Sequence, residues 1–363
     1  MSKRLNLINN IIYMALTLAL FFVVLMVCNA KYSVIIADTI GFYAIGIVVA
    51  GFICTLFHEL SHLISGKING FAFISISVWF FSWTKVKNKI KFSFIFPKES
   101  AGQTTMVAKH TENLALRFKK MTLAGFVSTI FLTLIGTIVF IIQMPMWLYC
   151  IFSMFLPIGA YCLFGNALPM QNNGVKNDGA VLLDIKKNNN SFIVLNSILS
   201  IQSELYNGKT PGEIDSKLYF DLPQLPEDDI NFALLLDARY YYYLDIKDYD
   251  NAQKCSDRLL SLEEYLPNEY MVIFKTNALY NACTFNFNEE LADDLMYELD
   301  KYLNNVNTAT NIRVKMAYLK YVAKDLELIE SFYKKGIKES RKENLLGLSK
   351  FENKLIEQLY NDN

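Results

Sequence analysis

Long apolar runs interrupt the first half of the chain, and their length predicts membrane-spanning helices. Residues 11–28 contain no charged side chain. Roughly 20 such residues cross a hydrocarbon layer of about 30 Å, because a helix rises about 1.5 Å per residue. Three further apolar runs cover residues 39–57, 121–142 and 146–170. We therefore predict four spans, of which the last two are joined by a tight turn.

Between the second and third runs, the pattern changes to that of β-strands. Residues 85–96 alternate between apolar and polar side chains at most positions, and residues 71–81 alternate in part. A period of two is typical of a strand with one apolar face. We predict a cytoplasmic β-hairpin joined near residues 82–85, with its apolar face in the membrane boundary and its lysines toward anionic headgroups.

The chain becomes polar after residue 185, and helical patterns replace the apolar runs. An amphipathic helix is predicted over residues 191–206, and prolines mark a linker that extends to about residue 230. Three helical pairs of similar layout then begin at Phe232, Tyr270 and Ile312. This spacing indicates an irregular all-α array similar to tetratricopeptide repeats. We expect a membrane-embedded region over 1–185, an amphipathic helix and linker over 186–230, and helical repeats over 231–363.

The charges of the two halves differ, and they predict an orientation. Residues 1–185 contain 14 Lys and Arg against 6 Asp and Glu, whereas residues 186–363 contain 21 against 29. Basic residues favour the cytoplasmic loops of membrane proteins. They concentrate between the second and third spans, so we expect this loop, the N-terminus and the C-terminal half in the cytoplasm. The composition suits a bacterial plasma membrane. A neutral chain without a basic domain argues against nucleic acid as a partner.

The motif His58-Glu59-Leu60-Ser61-His62 carries the clearest chemical prediction. It contains two of the three histidines in the chain and follows directly on the second apolar run. Spacing i, i+4 places both imidazoles on one helical face, where they can bind one Zn²⁺ beside a glutamate that activates water. Such polar groups at the end of a span are costly in lipid, which favours a functional site.

Catalytic zinc has three protein ligands, so a third ligand is required. The candidates are three residues of the cytoplasmic loop and two aspartates that follow the fourth span. They are Glu99, His110, Glu112, Asp178 and Asp184. We favour Asp178, because the second and fourth spans both run inward and their ends reach the same depth.

These motifs resemble the site-2 protease family of membrane-embedded zinc metallopeptidases, whose signature is HExxH followed by NxxPxxxxDG. The resemblance covers roughly residues 40–185 and includes Asn166-x-x-Pro169 and Asp178-Gly179. It implies a zinc ion bound by His58, His62 and Asp178, with Glu59 as the general base. Asn166 is expected either to help orient the substrate or the segment that carries the aspartate, or only to terminate the helix. Here the interval from Pro169 to Asp178 is four residues longer than in the family signature.

The resemblance implies hydrolysis of membrane-spanning or membrane-proximal peptide substrates near the cytoplasmic face of the lipid bilayer. An unpaired strand edge of the hairpin is expected to hold an unwound substrate by strand addition; membrane anchoring alone is the alternative. The helical repeats are candidates to bind a protein or peptide partner. A second hypothesis is an inactive membrane receptor or scaffold with structural zinc. A transporter is a weaker third hypothesis, because the four spans show no repeat symmetry.

Overall fold

Apolar helices dominate the first half of the fold, which we describe from a computed structural model. The structure describes residues 3–87, 89–95, 101–172 and 175–362. The helices of this half are α1 (Lys3–Tyr32), α2 (Ile36–Ile68), α3 (Leu114–Ile138), α4 (Met146–Ser153), α5 (Phe155–Ala167) and α6 (Asp178–Lys187). Among the described residues, four helical segments are long and apolar enough to cross a membrane, Leu5–Tyr32, Ala37–Ile68, Leu114–Ile138 and Met146–Ala167. The predicted number of such helices is therefore confirmed.

The fourth apolar segment differs from the single uninterrupted helix that the sequence predicts. It consists of α4 and α5, which are separated at Met154. Pro157 explains the interruption, because proline has no N–H to donate to the carbonyl four residues earlier and its ring crowds that carbonyl. The helix then ends at Ala167, two residues before Pro169. An irregular segment follows α5 and leads to Asp178.

Two glycines allow the apolar helices to approach closely. A Cβ added at Gly46 of α2 would lie 2.9 Å from the backbone of Ile151 in α4. At Gly136 of α3 it would lie 2.2 Å from the backbone nitrogen of Leu156 in α5. Small residues at such crossings are typical of helices that pack within a membrane, where close van der Waals contact replaces the hydrophobic effect.

The loop between α2 and α3 contains a four-stranded sheet rather than the predicted two-stranded hairpin. Its strands are β1 (Phe71–Val78), β2 (Phe81–Val86), β3 (Lys89–Phe94) and β4 (Gly102–Ala108), in the order β3-β2-β1-β4. The antiparallel pair β1–β2 turns at Trp79–Phe80, with Val78 opposite Phe81. The predicted turn near residues 82–85 is therefore wrong, because Trp79 has a φ of 52° and reverses the chain earlier.

The alternating segment 85–96 is also divided. Lys87, with a φ of 56°, follows β2, and β3 begins at Lys89. Ile90, Phe92 and Phe94 on β3 are exposed, as the alternation predicts for one apolar face. Phe96 lies outside the described residues.

The chain forms two compact units. The first contains Met1–Lys85, Ile90–Met106 and Asn113–Asn188, and the second contains Val86–Lys89, Val107–Glu112 and Asn189–Asn363. The first unit also contains two short antiparallel strands, β5 (Gln171–Asn172) and β6 (Val175–Lys176).

The second unit is built almost entirely from helices. They are α7 (Asn190–Tyr206), α8 (Lys217–Phe220), α9 (Ile230–Asp245), α10 (Tyr249–Leu260), α11 (Asn268–Cys283), α12 (Glu289–Asn305), α13 (Ala309–Tyr321), α14 (Ile329–Ser340) and α15 (Leu346–Asn361). The predicted amphipathic helix corresponds to α7. The six helices from α9 to α14 correspond to the three predicted pairs, and α15 follows them. Consecutive helices of this series pack on one another around a shared apolar core.

A buried ion pair lies in the core of the second unit. Arg313 of α13 donates from Nε to Glu352 of α15 at 2.8 Å, and both side chains are almost fully buried. The guanidinium also lies 4.0 Å from the ring centroid of Tyr280 in α11. This pair therefore connects α13 and α15, and Tyr280 adds a contact from α11.

Replacing Arg313 by Met should strongly destabilise the second unit. The substitution leaves the Glu352 carboxylate buried without its cation, which typically costs about 3–5 kcal/mol. Thermal unfolding of the full chain, followed by circular dichroism in detergent, should show a clearly lower melting temperature. Lys334→Met, which removes the exposed ion pair with Glu330, should leave it unchanged. Equal melting temperatures for the parent and Arg313→Met would contradict this account.

Candidate metal centre

Three potential metal ligands converge near the C-terminal part of α2. His58 and His62 have their Nε2 atoms 3.0 Å apart, and Oδ2 of Asp178 lies 3.2 Å from the first and 3.1 Å from the second. In the part of the chain that the structure describes, these residues form the one group of three such ligands. For zinc–ligand bonds of about 2.0–2.1 Å in tetrahedral geometry, donor atoms lie roughly 3.3 Å apart. The triangle of donors therefore fits such an ion.

The outer nitrogens of both histidines have defined partners. Nδ1 of His62 lies 2.9 Å from the carbonyl oxygen of Met121, which can only accept, so this nitrogen donates. Nδ1 of His58 lies 3.0 Å from the hydroxyl of Thr129, whose own proton is donated to the Gly125 carbonyl. Nδ1 of His58 therefore donates to that hydroxyl. Both neutral imidazoles then present the lone pair of Nε2 to the centre, as metal-binding histidines do.

The lone pairs of the three donor atoms face one another. Two Nε2 acceptors and a carboxylate oxygen, all within 3.2 Å of one another, repel unless a positive charge lies among them. Either a proton shared with Asp178 or a metal cation supplies that charge. The donor set, two imidazoles and one carboxylate, is one that catalytic zinc sites use.

Helix α3 closes one side of the metal centre. A Cβ added at Gly125 of α3 would lie 2.5 Å from Cε1 of His58 and 2.6 Å from Nε2 of His62. Any side chain at this position would collide with both imidazoles. Gly125 therefore allows α3 to pack directly against the ligand face of α2.

Asp178 is the first residue of α6, and the preceding Asn177 holds it in position. The Asn177 side chain donates from Nδ2 to the carbonyls of Gly165 and Leu168, at 2.8 and 2.7 Å. Its Oδ1 accepts from the backbone nitrogens of Met170 and Ala180, at 3.0 Å each. Asn177 therefore caps α6 and ties its start to the end of α5.

Gly179 permits the close approach of these two helix ends. A Cβ at this position would lie 2.2 Å from the carbonyl oxygen of Ala167. Burial raises the pKa of Asp178, but hydrogen bonds from His58 and His62, which form when the cluster holds a proton, outweigh burial and lower this pKa to about 2. The carboxylate is thus ionised at neutral pH, which is the form that binds cations.

The first helix also holds the segment that leads to Asp178. Asn9 of α1 donates to the carbonyl of Pro169 at 2.8 Å. Asn6 donates to the carbonyl of Gln171 at 2.7 Å and accepts from its backbone nitrogen at 3.0 Å. Sequence reasoning overlooked Asn6, Asn9 and Asn177. The position of Asn177, directly before a helix that starts with Asp-Gly, is an N-cap signal that could have identified it.

Asn166, for which a positioning role is predicted, and the candidate ligands other than Asp178 do not belong to the group of three. The Asn166 side chain donates to the carbonyl of Cys162 within its own helix, at 2.9 Å. Asp184 forms an ion pair with Lys176 at 2.9 Å. His110 and Glu112 are exposed and do not belong to the ligand group, and Glu99 falls outside the described residues.

Glu59 is buried beside the two histidines and contacts the sheet. The Thr104 hydroxyl of β4 donates to Oε2 of Glu59 at 2.7 Å. A Cβ added at Gly102 would lie 2.8 Å from Oε1 of the same carboxylate. Strand β4 therefore lies directly against Glu59, and the absence of a side chain at Gly102 makes this contact possible.

The outer side of β4 is an open strand edge. Among the described strands, β4 is terminal in the sheet and pairs only with β1. The Ala101 carbonyl accepts from the backbone nitrogen of Trp79, so residue 101 points its backbone groups toward β1. Successive residues of a strand alternate in this direction, so the backbone groups of Gly102, Thr104 and Met106 point to the open edge. This edge adjoins Glu59.

Comparison with known proteins identifies no relative of this chain. No family model, curated protein or solved structure matches it.

Replacing Asn177 by Ala should loosen the segment between α5 and α6, because four hydrogen bonds are lost. Hydrogen exchange of residues 168–180, measured by mass spectrometry, should become markedly faster. Asn166→Ala is the matched control, since it removes one hydrogen bond within a helix. In this variant the exchange of residues 168–180 should change much less. Equal exchange in the two variants would contradict the role of Asn177.

Proposed function

We propose that the chain is an intramembrane zinc metalloprotease that hydrolyses peptide bonds of membrane-spanning or membrane-proximal substrates near the cytoplasmic face. The observation that carries this proposal is the convergence of His58, His62 and Asp178 beside Glu59. Three ligands leave one tetrahedral position open, whereas structural zinc usually has four protein ligands. The resemblance of the motifs to site-2 proteases supports the same function.

In this proposal His58, His62 and Asp178 hold the zinc ion. A bound zinc ion would polarise the scissile carbonyl and make a water molecule more acidic. Glu59 takes the proton of the attacking water and delivers it to the leaving nitrogen. Thr104 occupies Oε2 of this carboxylate, which leaves Oε1 for the proton transfer. The hydrogen bonds from Nδ1 of both histidines keep their Nε2 atoms directed at the metal.

The open edge of β4 is the proposed binding site for the substrate backbone. A helical substrate hides its peptide bonds in internal hydrogen bonds, so it must unwind before cleavage. A segment paired with the outward groups of Gly102, Thr104 and Met106 would regain backbone hydrogen bonds next to Glu59. The exposed apolar side chains of β3 are proposed to lie in the membrane boundary.

The proposal also covers the orientation of the chain, its membrane and the role of its helical repeats. The excess of Lys and Arg between the second and third spans favours a cytoplasmic position for the sheet and the C-terminal half. We assign the chain to a plasma membrane, and its composition favours a bacterial one. The stacking of α9 to α14 resembles tetratricopeptide repeats and is proposed to serve a protein or peptide partner.

Zinc content should depend on the three proposed ligands. The purified parent should contain about one zinc per chain by mass spectrometry of the metal, and His58→Ala and Asp178→Ala should lose it. Asp184→Ala removes an aspartate of the same helix that pairs with Lys176, so it should retain zinc. Retention of zinc by Asp178→Ala would remove Asp178 from the ligand set.

Glu59→Gln should abolish turnover while metal content and fold are retained. The amide has nearly the same shape but cannot accept the proton, and loss of a general base typically costs roughly 10²–10⁴-fold in rate. Cleavage of reporter proteins with a single membrane span, reconstituted in liposomes, provides the assay. Full activity of this variant would contradict the mechanism. An inactive parent that binds zinc would favour the receptor hypothesis.

Met106→Pro should lower turnover without loss of zinc, because proline removes an N–H that points to the open edge. Met106→Ala is the matched control, since it truncates the same side chain but keeps the N–H. The ratio of their cleavage rates isolates the backbone contribution. Equal rates at equal zinc content would contradict strand addition at β4.

A further inference from the structure

The second unit contains a cavity whose role the proposed protease chemistry does not explain. It has a volume of about 290 Å³ and lies among α7, α9 and α15. This volume is close to the lower bound of small-ligand sites, roughly 300 Å³. Apolar side chains such as Ile201, Leu205 and Leu348 form much of the wall. Helices α9 and α15, the first and last of the series α9–α15, thus both contribute to one pocket.

All charged residues of the described lining are acidic. They are Asp237 of α9, Glu343 between α14 and α15, and Glu352 of α15. Glu352 is neutralised by Arg313, and its Oε1 also accepts from Thr310 at 2.8 Å. No described basic side chain has an equivalent role for Asp237 or Glu343.

The two remaining carboxylates are poorly satisfied. Oδ1 of Asp237 accepts one hydrogen bond, from the neutral Asn277 side chain at 3.1 Å. Within the described part of the chain, Oδ2 of Asp237 and the carboxylate of Glu343 have no hydrogen-bond partner in the fold. Both residues are only half-buried and line the cavity, so these oxygens are open to a ligand. The cavity therefore has a deficit of positive charge.

The protonation behaviour of these groups agrees with the deficit. Burial raises the pKa of Asp237 to about 7, although the hydrogen bond from Asn277 opposes the shift. Burial also raises the pKa of Glu343, and the nearby Glu352 adds to this effect. Both carboxyls would be more fully ionised beside a cation.

A bare metal ion does not fit this arrangement. The three carboxylates do not form a group with ligand atoms within 4.8 Å of one another, in contrast to the residues of the metal centre. The apolar wall would also remain without a partner. An organic cation with an aliphatic stem matches both parts of the lining, because its charge can contact the carboxylates while its methylene groups cover Leu205 and Leu348.

We propose that this cavity binds an aliphatic ammonium or guanidinium group, with its charge at Asp237 and Glu343 and its stem along the apolar wall. This chemistry has two sources, the side chain of a lysine or arginine in a peptide and a free alkylamine. The site is independent of the proposed protease chemistry, so either can fail without the other.

The test is calorimetric titration of the full chain in detergent with matched probes. Pentylamine should bind, whereas pentanol, which has the same stem without the charge, should bind at least about tenfold more weakly. A capped peptide with one lysine between glycines is compared with the same peptide in which norleucine replaces the lysine, which removes the charge but keeps an aliphatic stem. Binding of the lysine peptide at least as tight as that of pentylamine indicates a peptide side chain as the ligand, and binding of the amine alone indicates a free amine.

Variants locate the binding site. Asp237→Asn and Glu343→Gln, which keep the shape of each side chain, should each weaken pentylamine binding by at least about tenfold. Glu343 lies between two helices, so its variant keeps the test valid if Asp237→Asn does not fold. Glu264→Gln removes an exposed acid that does not line the cavity and should change nothing. Equal binding of pentanol and pentylamine, no binding of any probe, or unchanged affinity in both cavity variants would overturn the proposal.

Discussion

The contact of two imidazoles of α2 with one carboxylate is the constraint on which the first unit depends. Nδ1 of each histidine donates to a fixed acceptor, so the two Nε2 lone pairs face each other at 3.0 Å with Oδ2 of Asp178 beside them. Such a cluster is stable only around a positive charge. A zinc ion would satisfy this need and would also supply the chemistry of the proposed peptide hydrolysis.

The surrounding fold supports this cluster from several directions. Gly125 lets α3 pack against both imidazoles, and Gly179 lets α6 start beside the end of α5. Asn177 caps α6, while Asn6 and Asn9 of α1 hold the segment before it. Strand β4 approaches Glu59 from the sheet through Thr104 and Gly102. Elements distant in sequence are therefore required to bring a short motif into a defined geometry.

Local patterns in the sequence were sufficient to predict much of this arrangement. Continuous apolar runs identified the four candidate spans, and the i, i+4 spacing placed both histidines on one face of α2. The order of the spans also indicated that Asp178 lies near them, and the structure brings it within 3.2 Å. These features depend on periodicity and span length, which are local properties.

The errors came from features that depend on tertiary contacts. The turn at Trp79 requires a left-handed backbone at a bulky residue, which no local preference predicts. The contribution of β4 was missed because its pairing with β1 joins segments separated by more than twenty residues. The side chains of Asn6 and Asn9 meet carbonyls about 160 residues away. Periodicity carries no information about such contacts.

X-ray absorption spectroscopy at the zinc edge would test the central claim most directly, because it reports the ligands of the metal rather than its presence alone. The account predicts a first shell of nitrogen and oxygen only, at about 2.0–2.1 Å, with the outer-shell scattering of two imidazoles. The imidazole contribution should fall by half in His62→Ala if that variant retains zinc. A shell containing sulfur at about 2.3 Å, or no imidazole scattering, would contradict the assignment of His58, His62 and Asp178.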